Sequence, residues 1–243
     1  MIKLGYNKYL GQGGDWGSLI HRAIAQRHPG SCLGIHLNFI LGVNPSAIKN
    51  PLTLLWVIIG WFTPEEKKLL GRGHRWMKDG FGYAHIQSTK PQTVSYGLLD
   101  SPIGMLAWIR EKLDTPGYVW DKEEPITWAM LYLLSNSAWH ARIYKESFPS
   151  SIKEQVLNNL VPSSVAFGAS IFPYDVAYLP IWWAKAVISK NVVFWKEHKT
   201  GGHFAAVECP DLLKADIWEF FNKLPAATKR ELSISSSGAG ARL

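Results

Sequence analysis

The chain has 243 residues, of which 47% are hydrophobic and 19% charged, so it carries enough apolar material for one globular domain with an inserted subdomain. Its net charge of +7 comes from basic residues scattered among acidic ones, with no stripe of interleaved stacking aromatics, which argues against a nucleic-acid partner. Two distant cysteines, Cys32 and Cys209, without metal-type spacing, and no secretory signal at the start, make a cytoplasmic, reducing setting the expectation.

Lys8 to Gln12 reads as a short strand, and Leu19, Ile20, Ala23 and Ile24 recur at helical spacing until His28-Pro29-Gly30. Between them lies Gly13-Gly14-Asp15-Trp16-Gly17. A nucleophile elbow is a sharp strand-to-helix turn that needs small residues two positions either side of the nucleophile, and Gly13 and Gly17 hold those positions around Asp15. A glycine-rich turn with a helix-capping aspartate satisfies the same five residues. Cys32 to Leu37 follows as an apolar run suited to a buried strand.

Pro51 to Phe62 is the most apolar run, twelve residues against the roughly 20 that a spanning helix needs. A lid, a membrane-touching surface or a buried helix satisfies it, the buried helix being the simplest. Seven of the twelve tryptophans fall between residues 51 and 150, a stretch of helices broken by Pro and Gly. One helix is predicted through Met105 to Leu113 and another from Thr127 to Tyr144. Strands at Ser164 to Ala169 and Asn191 to Trp195 flank a helix at Ile181 to Ala186, and an amphipathic helix runs from Cys209 to Leu224, entered through Pro210. The organisation is therefore an α/β core over 1–50 and 151–232, a helical cap over 51–150, and a disordered Ser- and Gly-rich tail over 233–243.

An aspartate nucleophile forms an ester, so a second group must activate water against it, and histidine is the natural base. Among eight histidines, His203 stands in Gly201-Gly202-His203-Phe204, a tight loop between the last strand and the last helix. Asp175, in Phe172-Pro173-Tyr174-Asp175, precedes it after the preceding strand, matching the chain order nucleophile, acid, histidine. Its task would be to fix the imidazole tautomer.

At this point the chain resembles the microsomal-type and fungal epoxide hydrolases of the α/β-hydrolase fold. The likeness is carried by Gln12 to Ser18, by Gly82-Tyr83-Ala84-His85-Ile86-Gln87-Ser88-Thr89-Lys90-Pro91-Gln92-Thr93, by Asp100 to Trp108, and by Gly201 to Ala206. The resemblance implies that Asp15 opens the epoxide, that His203 activates water and that Asp175 supports it. It also places two proton-donating cap tyrosines at Tyr83 and Tyr144, the latter in Arg142-Ile143-Tyr144-Lys145-Glu146. An aspartate titrating near 3.9 and phenols near 10 suit these opposite tasks at neutral pH. The implied partners are water and a small apolar or aromatic epoxide, to which a tryptophan-rich cap is suited. The scheme needs no cofactor or metal.

The resemblance also implies further strands and a His-Gly-x-Pro loop ahead of the elbow, whereas fourteen residues precede Asp15 and contain neither. The expected match is thus to the carboxy-terminal portion of the family. The backbone N–H of Trp16 is left as oxyanion donor, and losing one such donor costs about 100-fold to 1000-fold in turnover. A haloalkane dehalogenase-like hydrolase, also using an aspartate, and a catalytically inactive fragment are the alternatives. A homo-oligomer is compatible with the sequence, as is membrane attachment.

Overall fold

In a computed structural model, residues 1–114, 116–135, 140–147 and 156–239 are described. Four parallel strands lie side by side in chain order: β1 (Tyr9–Gly13), β2 (Cys32–Leu37), β3 (Ala166–Ile171) and β4 (Val192–Glu197). The two inner strands are buried at every residue, as apolar runs covered on both faces require, whereas β1 and β4 are only partly buried.

Helix α1 (Asp15–Arg27) joins β1 to β2. Its Arg22 is 1% exposed and reaches across to the chain after β2, where Nη1–H donates to the Leu41 carbonyl at 2.6 Å. Burial without a carboxylate at hand pulls the Arg22 pKa down to about 10. After β3 come α9 (Ile181–Val187) and β4, then the short α10 (Ala205–Glu208), α11 (Pro210–Lys223) and α12 (Ala226–Ala239). Phe167, Ile35, Leu37, Ala184 and Ile188 belong to the principal core, between the sheet and its helices. On the other face, α11 packs Phe220 against Phe194 and Ala166, and a Cβ on Gly168 would stand 2.6 Å from the Phe220 ring.

The long connection from β2 to β3 holds α2 (Pro51–Ile58), α3 (Pro64–Arg75), a π-helical turn at Trp76–Gly80, α4 (Gly82–Thr89), α5 (Pro91–Asp100), α6 (Pro102–Leu113), α7 (Glu123–Leu134) and α8 (His140–Ser147). Local chemistry sets these boundaries. Thr63 and Glu66 form a reciprocal capping box at the start of α3, Ser101 caps α6, and proline opens α2, α3, α5 and α6. This inserted region packs in two ways. Leu69 of α3, with Val57 and Phe62, joins the principal core, while Leu98, Met105, Ile109, Leu113, Trp120 and Ala129 form a separate cluster.

Three expectations change. The apolar run from Pro51 is not a buried helix: α2 buries no residue, and Leu52, Leu55, Ile58, Ile59 and Trp61 are exposed. The helix expected from Thr127 to Tyr144 is two helices, since α7 ends at Leu134; residues 136–139, including Trp139, lie outside the described residues. The tail from Ser233 is helical rather than irregular as far as Ala239, because α12 continues through it. The expected border between cap and core at residue 150 lies outside the described residues.

Candidate active site

Asp15 follows β1, Asp175 follows β3 and His203 follows β4, so all three stand beyond the carboxyl ends of parallel strands, where α/β sheets open a crevice. Asp15 has φ 44°, the one positive value at a non-glycine position among the described residues. An aspartate held there is strained, and strain of this kind marks a strand-to-helix elbow. A Cβ on Gly13 would lie 2.5 Å from the Gly17 carbonyl, so Gly13 is sterically required. One on Gly17 would meet nothing within 4 Å, so the crowding that the sequence pattern suggests on both sides acts on one. Ser18 Oγ–H donates to the Gly13 carbonyl at 2.9 Å and the Asn38 N–H donates to the same carbonyl at 3.2 Å, which fixes the turn from two directions.

The loop from Gly201 meets the loop from Phe172. The Tyr174 N–H donates to the Gly201 carbonyl at 3.1 Å, and Tyr174 and Gly202 form a parallel bridge. Gly201 has φ 88°, and a Cβ there would stand 2.5 Å from Cys209 Sγ. This arrangement brings His203 Nδ1 to 2.8 Å from Asp175 Oδ1, which also accepts the Val176 N–H at 2.6 Å. An ionised carboxylate only accepts, so Nδ1 carries the proton and Nε2 points elsewhere. It points at Asp15, 3.8 Å from Oδ1, too long for a direct hydrogen bond and close enough for a reacting atom between them. Phe39 presents its ring edge-on to the imidazole at 5.5 Å.

Exposure differs along this line. The side chains of Asp175 and His203 are 4% and 15% exposed, and that of Asp15 is 53% exposed. Burial lowers the His203 pKa, but the charge and hydrogen bond of Asp175, with Asp15 and Glu208 adding to them, outweigh it and push the imidazole up to about 9.

The helices inserted between β2 and β3 supply the opposite wall. Tyr83 on α4 and Tyr144 on α8 meet at nearly right angles, with ring centres 5.8 Å apart, and the Trp16 indole meets Tyr144 edge-on at 5.1 Å. Tyr144 hydrogen-bonds with both Tyr83 and Trp16. Burial raises the pKa of both phenols, and the Asp15 charge raises them further, so both carry their protons at neutral pH. A cavity of about 310 Å³ opens beside them, lined by Asp15, Trp16, Tyr83 and Tyr144 and by apolar neighbours such as Phe39 and Trp76. His203 and Asp175 are not in its lining, so Asp15 stands between this cavity and the imidazole.

Every residue singled out from the sequence is thus within one constellation. Two more were not: Tyr132, whose pKa burial and the Asp15 charge raise, and Glu208, whose Oε1 accepts the Phe204 N–H at 2.8 Å. Glu208 could have been found as the acid four residues after the loop amide it binds; Tyr132 had no signal beyond its residue type.

No family model matches the chain. Epoxide hydrolase 1 of Sus scrofa is 33% identical to it over 255 residues, covering 92% of this chain and 53% of that protein. The crystal structure of juvenile hormone epoxide hydrolase from the silkworm Bombyx mori superimposes with a TM-score of 0.81 at 31% identity, over 92% of this chain and 56% of that one. The Aspergillus niger epoxide hydrolase structure gives a TM-score of 0.77 at 32% identity, over 93% and 55%. The chain spans about half the length of the curated relatives it matches.

Proposed function

We propose that this chain, which has a partial α/β-hydrolase fold and is similar over most of its length to epoxide hydrolases, adds water to an epoxide, giving a vicinal diol through an alkyl ester on Asp15. The observation that carries this reading is the strained Asp15 between two opposed groups, the Tyr83–Tyr144 pair on the cavity side and His203 Nε2 at 3.8 Å.

In the first step an Asp15 carboxylate oxygen bonds to an epoxide carbon and the ring C–O bond breaks toward the ring oxygen. That oxygen stays on the substrate and gains a proton from Tyr83 or Tyr144, so the barrier falls as the alkoxide charge is met by aimed O–H groups. In the second step His203 Nε2 takes a proton from water, and the water oxygen bonds to the Asp15 carboxyl carbon. The Trp16 backbone N–H is the donor for the resulting oxyanion; collapse breaks the ester, the departing diol oxygen takes the proton held by His203, and the Asp15 carboxylic acid so formed returns a proton to the phenolate. Asp175 holds the Nδ1–H tautomer throughout.

The charges order these steps. While Asp15 is anionic it stabilises the His203 imidazolium, and alkylation removes that charge. The imidazole then loses its proton more readily at the moment a base is needed. A small apolar epoxide suits the cavity, whose wall beyond the polar groups is largely aromatic and aliphatic. The haloalkane reading is weaker, because the Trp16 indole that would bind halide is engaged with Tyr144. The test is intact-mass analysis of folded protein mixed with styrene oxide: an adduct on Asp15 and styrene glycol in solution are expected. Neither adduct nor diol would refute the reading.

A further inference from the structure

We propose that Glu208 is a positioning residue for the base, a carboxylate that grips the peptide on both sides of His203 and adds a third anionic group around it. The inference rests on the reading of His203 as the base and concerns a residue that takes no part in the bonds made or broken.

His203 is carried by a loop, and a loop side chain keeps a defined direction only when its own backbone is tied. The acid loop ties one flank, through the Tyr174 N–H on the Gly201 carbonyl and the bridge between Tyr174 and Gly202. Glu208 ties the other. It ends the single-turn helix α10 and folds back, so that Oε1 accepts the Phe204 N–H at 2.8 Å. Its second oxygen faces Gly202: a Cβ there would stand 2.9 Å from Oε2. One carboxylate therefore lies against residues 202 and 204, with the imidazole of 203 between them. Position 202 stays glycine for a reason the elbow does not share, since a side chain would displace this carboxylate. Phe204 is wedged against Trp120 and Trp128 of the cap, at 5.8 and 5.5 Å, so the tether also fixes where the base loop meets the cap.

The charges around the pair are few. Asp175 and Asp15 face the imidazole from the acid loop and the elbow, and Asp175, Tyr118 and Cys209 are the other titratable groups around Glu208. Burial raises the Glu208 pKa and Asp175 acts the same way, while the amides of Phe204 and Gly202 and the His203 imidazole oppose them. When Asp15 is esterified its charge is lost, and Asp175 and Glu208 are the anions left beside the base.

Two variants separate the tether from the charge. Glu208→Gln keeps an acceptor for the Phe204 N–H and removes the charge, and Glu208→Ala removes both. The measurements are the His203 titration by NMR of histidine-labelled protein, and the pH dependence of ester decay after one turnover of styrene oxide. In Glu208→Gln the His203 titration and the acid limb of ester decay move down by about half a pH unit to one unit, with a plateau rate reduced less than about tenfold. In Glu208→Ala the plateau falls about 100-fold, the loss expected for a base displaced by about 1 Å. Should the alanine variant not fold, the glutamine variant decides alone. A His203 titration at the same pH in wild type and Glu208→Gln would overturn the proposal even if styrene oxide is hydrolysed. A shifted titration without any epoxide turnover supports the placement of Glu208 and removes the reaction instead.

Discussion

Among the described residues two constellations of aspartate and histidine stand out, and they behave in opposite ways. At the strand ends His203 bonds Asp175 directly, and its imidazole is pushed up to about 9. Beneath the sheet His36, 1% exposed, meets Ser170 Oγ at 3.0 Å, and Ser170 Oγ–H donates to Asp216 Oδ2 at 2.6 Å. Burial lowers the His36 pKa to about 4, with the Asp216 charge opposing it but not outweighing it. Both rings are desolvated, so burial alone does not separate them. The difference is a hydroxyl standing between ring and carboxylate. Asp216 also spends its charge elsewhere, on His198 Nε2 at 2.5 Å and Lys196 Nζ at 3.0 Å. A serine, a histidine and an aspartate in one buried chain are therefore not a reaction centre by composition. Open space, a strained elbow and an unspent carboxylate distinguish the site.

The most severe test of that distinction removes the groups around His203. Asp15→Asn is expected to abolish ester and diol, a loss of about 10⁴-fold or more in turnover, read by intact mass and product assay. His203→Gln should lose diol equally while the mass adduct on Asp15 persists, because alkylation needs no base. Asp175→Asn comes next, with ester decay slowed by about 10³-fold to 10⁴-fold as the imidazole loses its tautomer partner, and with adduct formation in stopped-flow nearly unchanged. On the cap side, Tyr83→Phe and Tyr144→Phe should each slow adduct formation by about 10-fold to 100-fold, and the double variant by more than either. Ester decay in these variants should stay near wild type, since the proposed mechanism uses the phenols only in ring opening.

How much of this was readable before the structure depends on the range of the force involved. The strands and the helix after Asp15 follow from short apolar runs and glycines, so their order was legible within a few residues. Gly13 owes its identity to a contact four residues away and was legible too. The exposed α2 was not, because an apolar run records that a surface is oily and not what covers it. The break after Leu134 was hidden because apolar spacing continues through the point where the chain turns. Asp175 and His203 could be located by order along the chain, whereas Tyr83 and Tyr144 came from resemblance alone. Their meeting depends on two cap helices far apart in sequence, which no local pattern encodes.

The smallest effect on turnover is expected beneath the sheet, and there the comparison can be read from stability. Ser170→Ala should leave turnover of folded protein unchanged while lowering the unfolding free energy by about 1–3 kcal/mol, since it strips partners from a buried imidazole and carboxylate. The two histidines should then give stability opposite pH slopes. His203 has a folded pKa near 9, above its ordinary 6.5, so its contribution is complete below about pH 6.5 and is lost as pH rises toward 9. His36 is held neutral with a folded pKa near 4, so the unfolded chain binds the extra proton and stability is lost as pH falls from about 6.5 toward 4. Each slope is at most about 1.4 kcal/mol per pH unit. Urea unfolding across pH 4 to 9 should therefore show a maximum near 6.5. His203→Gln should flatten its alkaline side and leave the acid side, and His36→Gln should do the reverse. If both variants altered the same limb, the two imidazoles would not differ in protonation, and the separation of a reactive pair from a structural one would fail.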